Sequence, residues 1–176
     1  MEWLAAAARE PGLCKNEWQH GTTGVHLLAA GRYWDVLIVP ACLGLRTADI
    51  LASLEPGPAL LDSRRQYVGF FLPPDPASIW AGHGIRYLTT GGWIATPAPH
   101  CRWGDLRWIC PPDGSGTLNP PAALELALHD AMRELARSHG TPHHCDAPHR
   151  TTETTAPAAT TRAPDIPHAP PAQPHA

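Results

Sequence analysis

The chain has 176 residues, enough for one globular domain, and its composition is apolar and poor in charge. Hydrophobic residues make up 43% of the sequence and charged residues only 16%, while 13 basic and 16 acidic residues give a formal net charge of −3. This balance excludes the basic excess that marks strong, non-specific nucleic-acid binders. No apolar run is long enough for a membrane helix and no signal-peptide pattern opens the chain, so we expect a cytoplasmic protein with no membrane partner.

The first half of the chain alternates helical and strand patterns. Apolar residues at helical spacing predict a helix over residues 2–9, and a second short helix is predicted over 13–18. A run rich in β-branched and aromatic residues predicts a buried strand over 34–39. Thr47 is predicted to cap a helix over 48–54. Further strands are predicted over 59–61 and 67–72.

The second half adds three more strands and the clearest helix. Asp75 and Pro76 are typical of a helix start, here over 77–81, and strands are predicted over 85–88, 93–96 and 106–110. Asn119 is predicted to cap a final helix with an apolar stripe formed by Leu124, Ala127, Leu128, Ala131 and Leu135. The order predicts an α+β fold, with a mixed or antiparallel central sheet flanked by short helices and closed by a C-terminal helix.

Composition changes sharply after Gly140. Residues 141–176 are rich in proline, threonine and histidine, and Ile166 is their only large aliphatic residue. Such a segment buries too little apolar surface to offset the entropy of ordering its backbone. We therefore predict a domain over residues 1–140 and a disordered tail over 141–176.

Arginines and aromatic residues are interleaved on and beside the predicted central strands. The arginines are Arg64, Arg65, Arg86, Arg102 and Arg107, and the aromatic residues are Tyr67, Tyr87, Trp93, Trp103 and Trp108. Guanidinium groups and aromatic faces are what single-stranded nucleic acids and nucleotides bind, through phosphate contacts and base stacking. The alternative is that the tryptophans belong to the core and the arginines keep a small sheet soluble.

A set of short motifs occupies the middle of the chain: Ile85-Arg86, Gly91-Gly92-Trp93, Pro97 and Leu106-Arg107-Trp108, preceded by the predicted strand in residues 67–73. Together they resemble the bifunctional DNA primase/polymerase domain of the archaeo-eukaryotic primase superfamily, with residues 67–73 similar to an upstream family strand. The resemblance covers about residues 31–112. It implies a primase/polymerase-like fold and a role in DNA replication, with magnesium or manganese as cofactor only if the enzyme is active.

The residues that the family uses for catalysis are largely absent. Where the family has an Asp-x-Asp motif this chain has Asp35 alone, and no histidine lies between His26 and His83. The third motif aspartate falls on Gly84. Phosphoryl transfer depends on such groups for charge stabilisation, so we predict a catalytically inactive or weak relative that needs no cofactor.

The motifs favour one leading function and leave two alternatives. The leading prediction is that the sheet contacts single-stranded nucleic acid or a nucleotide, with Arg86 and Arg107 as phosphate contacts and Trp93 and Trp108 as stacking residues. The first alternative is a small regulatory or protein-interaction module, whose partner would be a replication or regulatory protein. The second is an active primase/polymerase in which Asp62 and Asp105 join Asp35 as metal ligands.

Overall fold

The computed structural model describes residues 2–20, 24–75 and 84–138. The helices are α1 (Glu2–Ala5), α2 (Pro11–Gln19), α3 (Ala41–Leu51), which runs into a short 3-10 turn (Ala52–Leu54), and α4 (Pro121–Ser138). The strands are β1 (Val25–Ala29), β2 (Asp35–Pro40), β3 (Ala59–Asp62), β4 (Tyr67–Leu72), β5 (Arg86–Leu88), β6 (Trp93–Pro97), β7 (Arg102–Trp103) and β8 (Leu106–Cys110). The predicted helix over 77–81 and the predicted disordered tail lie outside the described residues.

Two antiparallel sheets build the fold. The larger sheet has six strands in the order β5-β2-β4-β3-β8-β7, and every neighbouring pair is antiparallel. The smaller sheet, here called the ribbon, pairs β1 with β6. The predicted α+β class, with an antiparallel sheet, short flanking helices and a C-terminal helix, is confirmed. None of the helices in the described part of the chain is long and apolar enough to cross a membrane.

Each face of the six-stranded sheet has its own hydrophobic core. Alternate residues of a strand point to opposite faces. The ribbon face, marked by Val36, Leu60 and Phe71, packs against the ribbon and the two N-terminal helices. The helix face, marked by Leu37, Leu61, Val68 and Phe70, packs against α3 and α4. A side chain's position in its strand therefore decides which of two separate environments it enters.

Three predictions about local structure are wrong at the start of the fold. The first helix ends at Ala5 rather than residue 9, and β1 forms where no strand was predicted. Helix α3 begins at Ala41, directly after β2. Thr47 is consequently a buried residue inside this helix and not its cap, and its hydroxyl donates to the carbonyl oxygen of Leu43 at 2.8 Å.

The C-terminal helix follows the prediction except at its predicted cap, Asn119. Leu124, Ala127, Leu128 and Ala131 are buried, as the apolar stripe requires. Asn119 is buried too, but its side-chain amide donates to the carbonyl oxygens of Pro58 and Phe71 at 3.0 and 2.8 Å. It therefore fastens the segment before α4 to the central strands.

Candidate functional site

A groove of about 570 Å³ lies between the ribbon and the ribbon face of the six-stranded sheet. Its floor includes Ile38, Leu60 and Gly69, and three consecutive residues of β6 line it from the ribbon. A Cβ atom at Gly69 would lie 3.0 Å from Val36 Cγ1 and 3.4 Å from Ile94 Cδ1. The absent side chain thus lets Ile94 of the ribbon approach the sheet closely at this point. We call this space the ribbon groove.

Arg86 reaches the ribbon groove from β5, an edge strand of the six-stranded sheet. Its guanidinium carbon lies 5.0 Å from the centroid of the Tyr67 ring, a cation–π distance. No carboxylate of the described residues lies within 4.0 Å of Arg86. The group is therefore held in place by an aromatic face while its charge stays unneutralised.

Two exposed tryptophans line the same groove. Trp93 on β6 is 51% exposed and Trp103 on β7 is 53% exposed. Leu27 of β1, 61% exposed, also lines the groove. Large apolar side chains that share an exposed, concave surface mark interaction sites more often than single scattered ones do.

The charges of the ribbon groove favour an anion. Arg64, Arg65 and Arg86 line it together with Asp62 and Asp105, so the lining carries one net positive charge although the chain as a whole carries −3. Asp62 accepts the backbone N–H of Arg65 at 3.0 Å and lies 3.7 Å from its Nε, so these two charges offset each other and the positive balance comes from Arg64 and Arg86 against Asp105. This Asp62 contact holds Arg65 in the turn between β3 and β4.

The structure separates the four residues predicted to bind nucleic acid. Arg86 and Trp93 line the ribbon groove together. The Trp108 ring packs 5.4 Å from that of Phe71, and its Nε1 donates to the carbonyl oxygen of Pro97 at 3.2 Å, so it belongs to the core. Arg107 is exposed on the helix face, because its partner across the strands is the buried Leu61 of that face. Of the four residues, only Arg86 and Trp93 therefore share a surface, and nucleic-acid binding by any of them stays a prediction.

Trp103 belongs to the groove although it was not among the four predicted residues. Its cross-strand partner Leu106 lines the same groove from β8. The only sequence signal for this placement is the Gly104-Asp105 pair, which forms the two-residue turn between β7 and β8 and so fixes their register.

Asp35 is fully buried at the start of β2. One of its oxygens, Oδ2, accepts the Tyr87 hydroxyl at 2.5 Å and the Asp75 N–H at 3.2 Å. Burial, together with the hydrogen bond to Asp35, raises the pKa of Tyr87 to about 12. The Asp35 carboxyl therefore works as an internal anchor between β2, β5 and the end of the segment after β4.

The three aspartates weighed as metal ligands do not converge. Asp35 pairs with Leu72 at one end of β4, whereas Asp62 pairs with Tyr67 at the other end. These positions on β4 are five residue steps apart, a distance of about 17 Å at ~3.3 Å per residue. Asp62 and Asp105 are neighbours in the groove lining, but Asp35 does not join them. Among residues 2–20, 24–75 and 84–138, no three histidine, cysteine or acidic side chains are grouped to hold a metal ion.

The fold and the site define an α+β domain with an open groove that presents arginines and exposed indoles. Comparison of the chain with protein-family models, with curated proteins and with solved structures finds no match. The primase/polymerase resemblance therefore rests on the sequence motifs given above, and the ribbon groove is the feature from which a function can be inferred.

Proposed function

We propose that this protein is a primase/polymerase-like domain that binds single-stranded nucleic acid in the ribbon groove without catalysing synthesis. The observation that carries the proposal is the juxtaposition of Arg86, which has no carboxylate partner among the described residues, with Trp93 and Trp103, whose indoles are half-exposed in the same groove.

A single strand matches both parts of this lining. Its phosphates are anionic and accept hydrogen bonds from a guanidinium group in a fixed, planar geometry. Its bases are unstacked, so each offers a face to an indole, and this contact is sequence-tolerant. The bases of a duplex are already stacked on one another, so a duplex would use only the arginines.

Binding without synthesis is proposed because the acids do not form a two-metal site. Two-metal phosphoryl transfer needs carboxylates that hold a pair of cations about 3.5–4 Å apart. Here Asp35 is buried and engaged by Tyr87, at the opposite end of the sheet from Asp62. We expect the purified protein to extend no primer in the presence of magnesium or manganese, and template-dependent synthesis abolished by Asp35→Asn would contradict the proposal.

Fluorescence anisotropy with a labelled oligothymidine at low salt tests the binding. Trp93→Ala should weaken binding by about 1–3 kcal/mol, roughly 5- to 150-fold, with little change in salt dependence, because a stacking contact is lost. Arg86→Ala should weaken binding and reduce the salt slope by roughly 0.7, because one phosphate contact is lost. Leu126→Ala, a change of a 68% exposed apolar residue on α4, is the control and should bind like the wild type.

Two outcomes of this titration would refute the function. One is the absence of any binding by the wild-type protein at low salt. The other is full binding by an Arg86→Ala/Trp93→Ala double variant, because nucleic acid would then contact a different surface.

The free edge of β6 favours a second candidate function, the binding of an extended peptide. In an antiparallel pair, alternate residues direct their backbone groups away from the partner strand. The Ala29 N–H donates to a carbonyl outside the ribbon, and the Pro97 carbonyl accepts the Trp108 indole N–H. The backbone groups of the cross-strand pairs that contain Ala29 and Pro97 therefore point away from the partner strand. By the same alternation Trp93 and Ala95 present backbone N–H and C=O groups at an edge that no other strand covers in the described part of the chain. Such an edge can accept a further strand.

Ala95→Pro separates the two functions. Proline removes one outward N–H from the β6 edge and leaves the Trp93 indole in place. Oligothymidine binding should therefore survive this change, whereas a peptide added to the edge should be lost. If the wild type binds no oligonucleotide, selection of displayed peptides on the wild type, with counter-selection on Ala95→Pro, tests the second candidate directly.

A further inference from the structure

Two arginines stand directly opposite one another at the edge of the six-stranded sheet. Arg102 of β7 is the cross-strand partner of Arg107 of β8. Directly opposite residues share a face, and their Cβ atoms lie about 5 Å apart. Both side chains are exposed, and neither forms an ion pair with a carboxylate of the described residues. We call them the arginine pair.

The arginine pair is unfavourable for the isolated fold. Like charges that face one another across two strands destabilise the pairing. On its other side Arg107 is paired with the buried Leu61, so the neighbouring strand supplies no acid opposite it. An arrangement that costs stability and leaves two guanidinium groups free is one that an anionic ligand would relieve, since each group can donate two parallel hydrogen bonds to a phosphate.

The position of β7 connects the arginine pair to the ribbon groove. Arg102 and Trp103 are consecutive, so their side chains lie on opposite faces of the edge strand. Trp103 lines the ribbon groove, and Arg102 lies on the helix face with Arg107. Because β7 is an outermost strand of two residues, a ligand that passes Trp103 needs only to cross this edge to meet the arginine pair.

We infer that the arginine pair is a second phosphate-binding site for the same nucleic-acid strand, which leaves the ribbon groove past Trp103 and bends round the β7 edge. The inference rests on the proposed function, because it assumes that a single strand occupies the groove. It adds that occupancy of the arginine pair depends on the length of the nucleic acid. A short oligonucleotide fills the groove alone, and a longer one contacts both faces of the sheet.

The test compares oligothymidines of about 4 and about 16 nucleotides, which span the usual site sizes of single-strand binding folds. For the long oligonucleotide, an Arg102→Ala/Arg107→Ala variant should reduce the salt slope by roughly 1.4, because two phosphate contacts at ~0.7 each are lost. Its binding of the short oligonucleotide should be unchanged. A double lysine variant, which keeps both charges, should restore most of the slope.

An Arg133→Ala/Arg137→Ala variant is the matched control, since it removes the same net charge from exposed positions on α4. If this control lowers the slope equally, the effect is one of overall charge and the inference is overturned. It is also overturned if the arginine-pair variant weakens both oligonucleotides alike or neither of them, while Trp93→Ala still weakens the short one. If the wild type binds neither oligonucleotide, the proposed function fails and the inference fails with it.

Discussion

At Gly44, α3 packs closely against the six-stranded sheet, and replacing this glycine with alanine should push the helix and the sheet apart. A Cβ atom at this position would lie 2.4 Å from Val68 Cβ, 2.7 Å from Val68 Cγ2 and 2.9 Å from Val39 Cγ2. Neither valine can rotate away easily, because β-branched side chains have few allowed rotamers and both lie in the buried core. The helix must therefore shift away from β2 and β4.

The expected cost follows from two opposing terms. Overpacking a core costs about 1–3 kcal/mol, and the upper end applies here because the nearest atom is close to the strand backbone. Alanine recovers about 1 kcal/mol of helix propensity relative to glycine. Gly44→Ala should therefore lower the free energy of unfolding by about 2 kcal/mol, equivalent to roughly 4–8 °C in Tm for a chain of this size.

The same substitution at Gly12 is the control. Gly12 lies in α2, and no heavy atom lies within 4 Å of its added Cβ atom. Gly12→Ala should raise stability by about 0.5–1 kcal/mol. Urea unfolding with an unchanged m value measures both changes. If Gly44→Ala moves the midpoint in the same direction as Gly12→Ala, the packing argument for α3 is refuted.

Three further predictions concern the core, the Tyr87 hydroxyl and the arginine pair. Leu128→Ala should cost about 2–5 kcal/mol because the side chain is buried, whereas the exposed His129→Ala should cost little; equal losses in a thermal scan would contradict the phase of α4. Because the pKa of Tyr87 is raised to about 12, its hydroxyl stabilises the fold fully below about pH 10, and that contribution disappears as the pH rises through about 12. Tyr87→Phe should lower the free energy of unfolding by about 1–3 kcal/mol at neutral pH, because it leaves Asp35 with one hydrogen-bond donor fewer. The difference in tyrosinate absorbance between the wild type and Tyr87→Phe should have its titration midpoint near pH 12, not 10. Arg102→Glu should raise stability by about 0.2–1 kcal/mol by creating an opposite-charge pair across β7 and β8 and should weaken binding of long oligonucleotides, and a loss of stability would count against the repulsion argument.

The elements with the densest local signals could be predicted from sequence. Tyr67–Leu72 has an unbroken apolar and aromatic run, and the stripe of α4 repeats at helical spacing over three turns. Strand β1 could not be predicted in this way, because its sequence of valine, histidine, two leucines and alanine suits a helix equally well. Its partner β6 lies more than 60 residues away, and that pairing decides its structure.

Half of the candidate site followed from residue type and half required the register. Arg86 and Trp93 were predicted and line the ribbon groove. Arg107 and Trp108 are adjacent in one strand, so they had to point to opposite faces. The alternation of side chains along a β-strand was therefore enough to show that Arg107 and Trp108 do not share a surface. It does not show which of them faces the groove. That choice depends on the partners of β8.

The ribbon has a consequence for synthesis on the ribosome. Its residues pair between position 29 and position 93 at one end and between positions 25 and 97 at the other, so β1 emerges 64 to 72 residues before its partner strand. At about 5–20 residues per second, β1 waits roughly 3 to 14 s for β6. During that interval Leu28, which is fully buried in the finished fold, has no partner in β6 to cover it. The N-terminal helices and the nascent ribbon face therefore complete their shared core late, and the ribbon groove, which β7 and β8 also line, is complete only when translation has passed β8.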